Sequence, residues 1–161
     1  MGRRGAGLFS VGTLFASFFG AAMIAAAFAY FNYKFSEYKF INFDQWVFYE
    51  ATEVFVPQEE RYLVVIFTSK TPGSAQKLAA AKTRYPILAI DYYQERFEST
   101  ENTRFLRGGT NTVLSVIQRF NIYRVPSIFV IKKSKEALYK QDSMIRELDT
   151  LETLSVYEKE L

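Results

Sequence analysis

Hydroxyls at Thr68, Ser69, Thr71 and Ser74 crowd one short stretch of this chain, beside the ammonium of Lys70 and the pair Pro72-Gly73. A hydroxyl becomes a nucleophile only next to a base that takes its proton. The chain contains no His and no Cys. An imidazole base, a thiolate nucleophile, a disulfide, an iron–sulfur ligand and a zinc thiolate are therefore excluded within it. Lys70 serves as a base only if burial strongly depresses its pKa, and an exposed loop lysine seldom meets that condition. The stretch reads as the shell of an active site, with no catalytic residue, cofactor or metal expected.

The flanking elements explain why the stretch attracts notice. Tyr62 to Thr68, "YLVVIFT", is an unbroken apolar run, the pattern of a strand covered on both faces. Thr71 is the predicted N-cap of a following helix, with Pro72 at its first position. That helix, "PGSAQKLAAAKTRY", is rich in strong formers and ends before Pro86. Ile87 to Tyr93 supplies a second core strand, so the three elements predict a right-handed parallel unit. Upstream, Asn42 reads as the N-cap of a short helix burying Phe43 and Val47. Thr52 to Val56 reads as a strand stopped by Pro57.

Downstream, Gln94 to Gly109 is polar and charged without sustained periodicity, a long excursion. Thr112 to Phe120 resumes helical spacing, with Val113, Leu114, Ile117 and Phe120 facing inward. "NIYRVPSIFVIKKSKEALYKQ" predicts an antiparallel hairpin entered at Pro126. Leu151, Leu154 and Tyr157 mark a terminal amphipathic helix between Asp149 and Leu161.

The first thirty residues set the context for this domain. Leu8 to Tyr30 carries no charge, and at ~1.5 Å per residue it spans the ~30 Å hydrocarbon core of a bilayer. The organisation expected is a basic tail (1–7), a transmembrane helix (8–31), a juxtamembrane linker (32–40) and a domain (41–161). A cleaved signal peptide is the competing reading, with Ala27-Phe28-Ala29 as its processing site. The apolar run exceeds the ~7–15 residues of a signal h-region, which favours an uncleaved anchor. Gly12, Ala16 and Gly20 repeat every four residues, a spacing that lets a second membrane helix approach closely. The alternative is simply an alanine-rich span. With Arg3 and Arg4 on the short tail, the N-terminus is expected in the cytoplasm and the domain across an inner membrane, in the periplasm.

Composition narrows the partners. Of the 161 residues 49% are hydrophobic and 17% aromatic, enough for a packed core. Setting aside Arg3 and Arg4, the 20 basic residues fall to 18 against 17 acidic ones. A nucleic-acid binder normally needs a clustered basic face, and that balance argues against one.

The order of elements, from "VVIFTSKTPGSAQK" to "FNIYRVPSIFVIK", resembles the thioredoxin-like superfamily. The resemblance covers roughly Ile41 to Leu161 and implies a three-layer α/β fold with a central mixed sheet. The family's Cys-x-x-Cys falls on Pro72-Gly73-Ser74-Ala75, so both thiols are missing. The stretch between Asp91 and Pro126 is longer than in the minimal fold, which places residues 92–109 as an insertion. Val125-Pro126 aligns with the family's cis-proline loop, whose backbone there pairs with an extended peptide, a contact that needs no cysteine.

The expected function is a non-enzymatic, membrane-anchored protein that binds, stabilises or helps assemble a membrane protein complex. Envelope machines such as a flagellar motor or a respiratory complex are the client types suggested by analogy. The alternative is a glutathione-handling or hydroxyl-dependent enzyme using Ser69 or Ser74. Expected partner contacts are Thr71, Pro72, Gly73, Val125 and Pro126, with Tyr93, Phe97, Phe105 and Arg107 from the insertion. Aromatic and Arg residues are the usual anchors of such surfaces. The other reading of Phe97 and Phe105 is that they fold inward beneath the loop.

Overall fold

A computed structural model describes residues 10–159, with the side chains of 32–38 outside that description. The basic tail and the first two residues of the expected span lie outside the described residues. The chain divides into two units between Glu37 and Tyr38.

The first unit is built on one helix, α1 (Val11–Tyr38). Ser10 caps it, its Oγ accepting from the Thr13 N–H at 3.2 Å. Val11–Phe31 is long and apolar enough to cross a membrane, and none of it is buried within the chain. The helix continues to Tyr38, so the expected linker is helical over most of its length. A helix satisfies its backbone groups internally, which suits a segment that leaves an apolar phase and enters a polar one.

The second unit is a mixed α/β domain around one sheet. Its strands are β1 (Phe40–Asn42), β2 (Phe48–Glu50), β3 (Glu53–Val54), β4 (Arg61–Phe67), β5 (Ile87–Asp91), β6 (Thr103–Gly108), β7 (Ser127–Lys133), β8 (Leu138–Gln141) and β9 (Arg146–Glu147). They lie in the order β1-β8-β7-β4-β5-β6-β2-β3, with β9 pairing the start of β7. β4, β5 and β6 run parallel, and β7 runs antiparallel to β4.

Strand alternation divides the core in two. Val64, Ile66, Leu88 and Ile90 face one side, under α3 (Thr110–Arg119) and the aromatic N-terminal segment. Leu63, Val65, Phe67, Ile87 and Ala89 face the other, under α2 (Ser74–Ala80) and α4 (Leu154–Glu158). Both faces are covered, which is why the sequence of β4 is apolar without alternation. Each of its buried aliphatic side chains contributes roughly 1.5–3 kcal/mol.

The sheet curls. Six strand spacings separate β1 from β2, about 29 Å in a flat sheet at ~4.8 Å each. The six residue-to-residue steps from Asn42 to Phe48 reach at most about 21 Å. β1 and β2 must therefore bend toward each other. Phe43 seals the concave side, its ring 5.8 Å from Phe48, 5.6 Å from Phe55 and 5.5 Å from Tyr139.

Four local expectations are corrected. Asn42 starts a turn rather than a helix: its Oδ1 accepts from Asp44 N–H at 3.0 Å and its carbonyl from Trp46 N–H at 2.8 Å. The link must bridge the distant strands β1 and β2, which a compact helix does not reach. The strand at 52–56 reduces to the two residues of β3, in a hairpin with β2 through Ala51 at φ 53°.

The helix after the hydroxyl turn covers only Ser74–Ala80. Its expected tail is claimed by tertiary partners: Asn102 donates to the Ala81 carbonyl, and the Glu158 carboxylate accepts from Arg84 and Tyr85 N–H. The excursion at 92–109 is not loop alone. It holds β6, a parallel strand inside the sheet.

Candidate functional site

At the end of β4 the chain doubles back. The Thr68 carbonyl accepts from Thr71 N–H at 3.3 Å and from Ser74 Oγ at 3.0 Å. Gly73, at φ 75°, lies in the left-handed region, where a side chain is strained, and it turns the chain into α2. Pro72 therefore precedes the helix instead of opening it, and Thr71 makes no side-chain cap. Ser74 is buried and its hydroxyl is committed to Thr68, so it is not poised toward a substrate. Lys70 is exposed, its Nζ 5.0 Å from the Tyr93 ring centre.

Asp91 fixes this turn to the start of the insertion. It is 2% exposed, and its carboxylate accepts from Ser69 N–H at 2.8 Å and Glu95 N–H at 2.9 Å. Gln94 extends the tie: its Oε1 accepts from Gly108 N–H, and its carbonyl accepts from Arg107 Nε at 3.0 Å. Two loops from different strands are thus locked to one buried anion and one amide.

The second loop follows α3. Asn121 reverses the chain at φ 52°, and Ile122 N–H closes on the Ile117 carbonyl at 2.9 Å. Val125–Pro126 is a cis peptide. The Pro126 carbonyl accepts from Leu148 N–H at 2.8 Å, and the Arg124 carbonyl from the Ser127 hydroxyl. Among the described residues, the N–H and C=O of Val125 have no hydrogen-bond partner.

Val125 stands as a ridge between two hollows. One, of about 190 Å³, is lined by Thr71, Pro72, Ser74, Lys77, Pro126 and Leu151. Lys77 is held there by Glu152 at 2.8 Å, and this bond keeps the Glu152 carboxyl below its ordinary pKa. The other, of about 370 Å³, is lined by Tyr92, Tyr93, Ile117, Ile122 and Tyr123. Its rim is aromatic: Tyr123 is 84% exposed, and the exposed rings of Tyr92 and Tyr93 meet edge to face at 5.3 Å.

Thr71, Pro72, Tyr93, Val125 and Pro126 therefore come together, with Gly73 at their border. Phe97, Phe105 and Arg107 do not join them. Phe105 is 5% exposed, its ring 5.4 Å from Phe97 and 6.1 Å from Phe67. It alternates inward on β6, so it is a core residue, and Phe97 packs down onto it. Arg107 lines a separate hollow with Tyr49 and Arg96. Tyr92, Tyr123 and Asp91 were not singled out by the sequence. Asp91 did carry a signal, a lone charge ending the apolar run of β5.

On α1, Gly12, Ala16 and Gly20 share one face by their four-residue spacing. A Cβ added at Gly20 meets nothing within 4 Å, and one at Gly12 meets only Ser10 Oγ at 3.9 Å. Nothing in the described chain requires these residues to be small.

The chain matches no family model, no curated protein and no solved structure.

Proposed function

We propose that this chain is a membrane-anchored, thioredoxin-like binding protein, without enzymatic activity, that stabilises or helps assemble a membrane protein complex. One arrangement carries the reading. A ridge with unpaired backbone groups at Val125 lies between a hollow of mixed polar and apolar lining and an aromatic one, at the carboxyl ends of β4 and β5. Unpaired N–H and C=O groups offer main-chain hydrogen bonds to an extended peptide, and the flanking hollows accept its side chains. The resemblance gains support from the run β4-α2-β5, then α3, then the β7-β8 hairpin entered at Pro126.

The enzymatic alternative is weakened because Ser74 donates its hydroxyl to Thr68 and the chain offers no imidazole. On this reading α1 spans an inner membrane with the N-terminus in the cytoplasm and the domain in the periplasm. The face of Gly12, Ala16 and Gly20 packs on a helix of the partner.

Site-specific photo-crosslinking in native membranes tests both surfaces. A photoreactive residue at Tyr123 should give a discrete adduct with an integral membrane protein, and one at exposed Ser155 should not. Replacing Gly12 and Gly20 with Leu should leave membrane insertion intact yet lose the partner on co-purification, because the backbones are held apart. Equal labelling at both positions, or a partner retained by the Leu variant, overturns the corresponding part of the proposal.

A further inference from the structure

A second surface lies at the opposite end of the sheet. β3 is the last strand in the order, and no described residue pairs with its outer side. Glu53 faces Glu50 across the ladder, and Phe55 N–H donates inward to the Phe48 carbonyl at 2.8 Å. Antiparallel alternation then turns the N–H and C=O of Val54 away from β2. Val54 and Val56 are 53% and 62% exposed. An unpaired edge is a template for another strand, and the two-residue length of β3, Glu53 and Pro57 restrict this one to a short, charge-matched segment.

Beside this edge opens a hollow of about 600 Å³, lined by Glu50, Glu53, Glu59, Glu101 and Arg104 together with Phe55 and Tyr62. Like charges placed directly opposite in a sheet destabilise it. Arg104 relieves only one of them, bonding Glu50 at 3.1 Å. Glu53, Glu59 and Glu101 make no ion pair among the described residues.

We infer that this edge docks an extended partner segment bearing Lys or Arg at alternate positions. Its backbone pairs with Val54, and its cations lie against Glu53, Glu59 and Glu101. A second copy of the chain is a poor occupant, since its own edge segment, residues 50–60, carries no Lys or Arg to set against these carboxylates. Pro57, following Val56, keeps the added ladder short.

The test uses the full chain in nanodiscs of zwitterionic lipid, titrated calorimetrically with a short peptide alternating Lys and Val and with its Glu-for-Lys twin. Only the Lys peptide should bind, and raised salt should weaken it roughly tenfold, as expected for exposed charge pairs. Glu53→Lys combined with Glu101→Lys should reverse the preference toward the Glu twin. Val54→Pro removes the outward N–H without touching the β2 ladder, and should abolish binding while the far-UV circular dichroism stays unchanged.

Equal binding of the twins, binding of neither, or an unaltered preference in the charge-reversed variant overturns the inference. So does a chain dimer that Val54→Pro dissociates. The charge reversal keeps the test decisive even where the Pro variant fails to fold.

Discussion

Truncating Phe105 separates core from surface around the insertion. The side chain is 5% exposed, opposite Ala89 in the β5–β6 register, and enclosed by the rings of Phe67 and Phe97. Ala89 is too small to move into the space that Phe105→Ala leaves. The transfer and cavity contributions then apply in full, a loss of ~3–5 kcal/mol. For a domain of this size that lowers Tm by about 10–20 °C. Tyr123→Ala, at 84% exposure, removes no packing and should shift stability by less than about 0.5 kcal/mol.

Thermal melts of the full chain in detergent, followed by near-UV circular dichroism, compare the two directly. Co-purification of the partner should fail in the Tyr123 variant despite an unchanged Tm. Phe105→Ala melting within about 3 °C of the parent would refute the placement of β6 in the sheet, because a solvent-facing Phe costs little on removal.

Asp91→Asn keeps one acceptor but turns an amide donor toward either the Ser69 or the Glu95 N–H. A loss of ~1–3 kcal/mol is expected, with amide exchange at Ser69 and Glu95 accelerated. Unchanged protection at both would remove the carboxylate from its role. Tyr139 is fully buried, which is the main reason its pKa is pushed up to about 12. The folded state thus holds its proton where the unfolded chain releases it near pH 10, so stability falls as pH rises from about 10 to 12, by roughly 2–3 kcal/mol. Tyr139→Phe should flatten that slope in urea titrations. It also loses the hydrogen bond to the Glu59 carbonyl, lowering stability at neutral pH by about 1 kcal/mol.

Much of the framework was legible where one physical signal dominated. The uncharged run of α1 is read by its length, the unbroken apolar runs of β4 and β5 reflect burial on both faces, and the helical spacing of α3 reflects burial of one face, with Leu114 turned outward against expectation. β6 was obscured because Arg104 and Arg107 interrupt its alternation, and because a parallel pairing leaves no local turn to announce it. The length of α2 was overread for the opposite reason. Ala and Lys favour helix locally, but Asn102 and Glu158, distant in sequence, take up the backbone groups of residues 81–85.

The candidate site divides along the same line. Composition by itself removed thiol, imidazole and metal-thiolate chemistry from the chain, since a group that is absent has no conformation to consider. The sequence also placed Thr71-Pro72 and Val125-Pro126 at strand ends, where loops gather. Which aromatics stand beside them was a tertiary decision. Phe105 and Tyr123 are both aromatic and both lie near polar neighbours, yet one is held inside by the strand period of β6 and the other is thrown outward by the reversal at Asn121. The curl of the sheet had no local signature either. It follows from joining the distant strands β1 and β2 through the five residues 43–47, a constraint that exists only once the strand order is known.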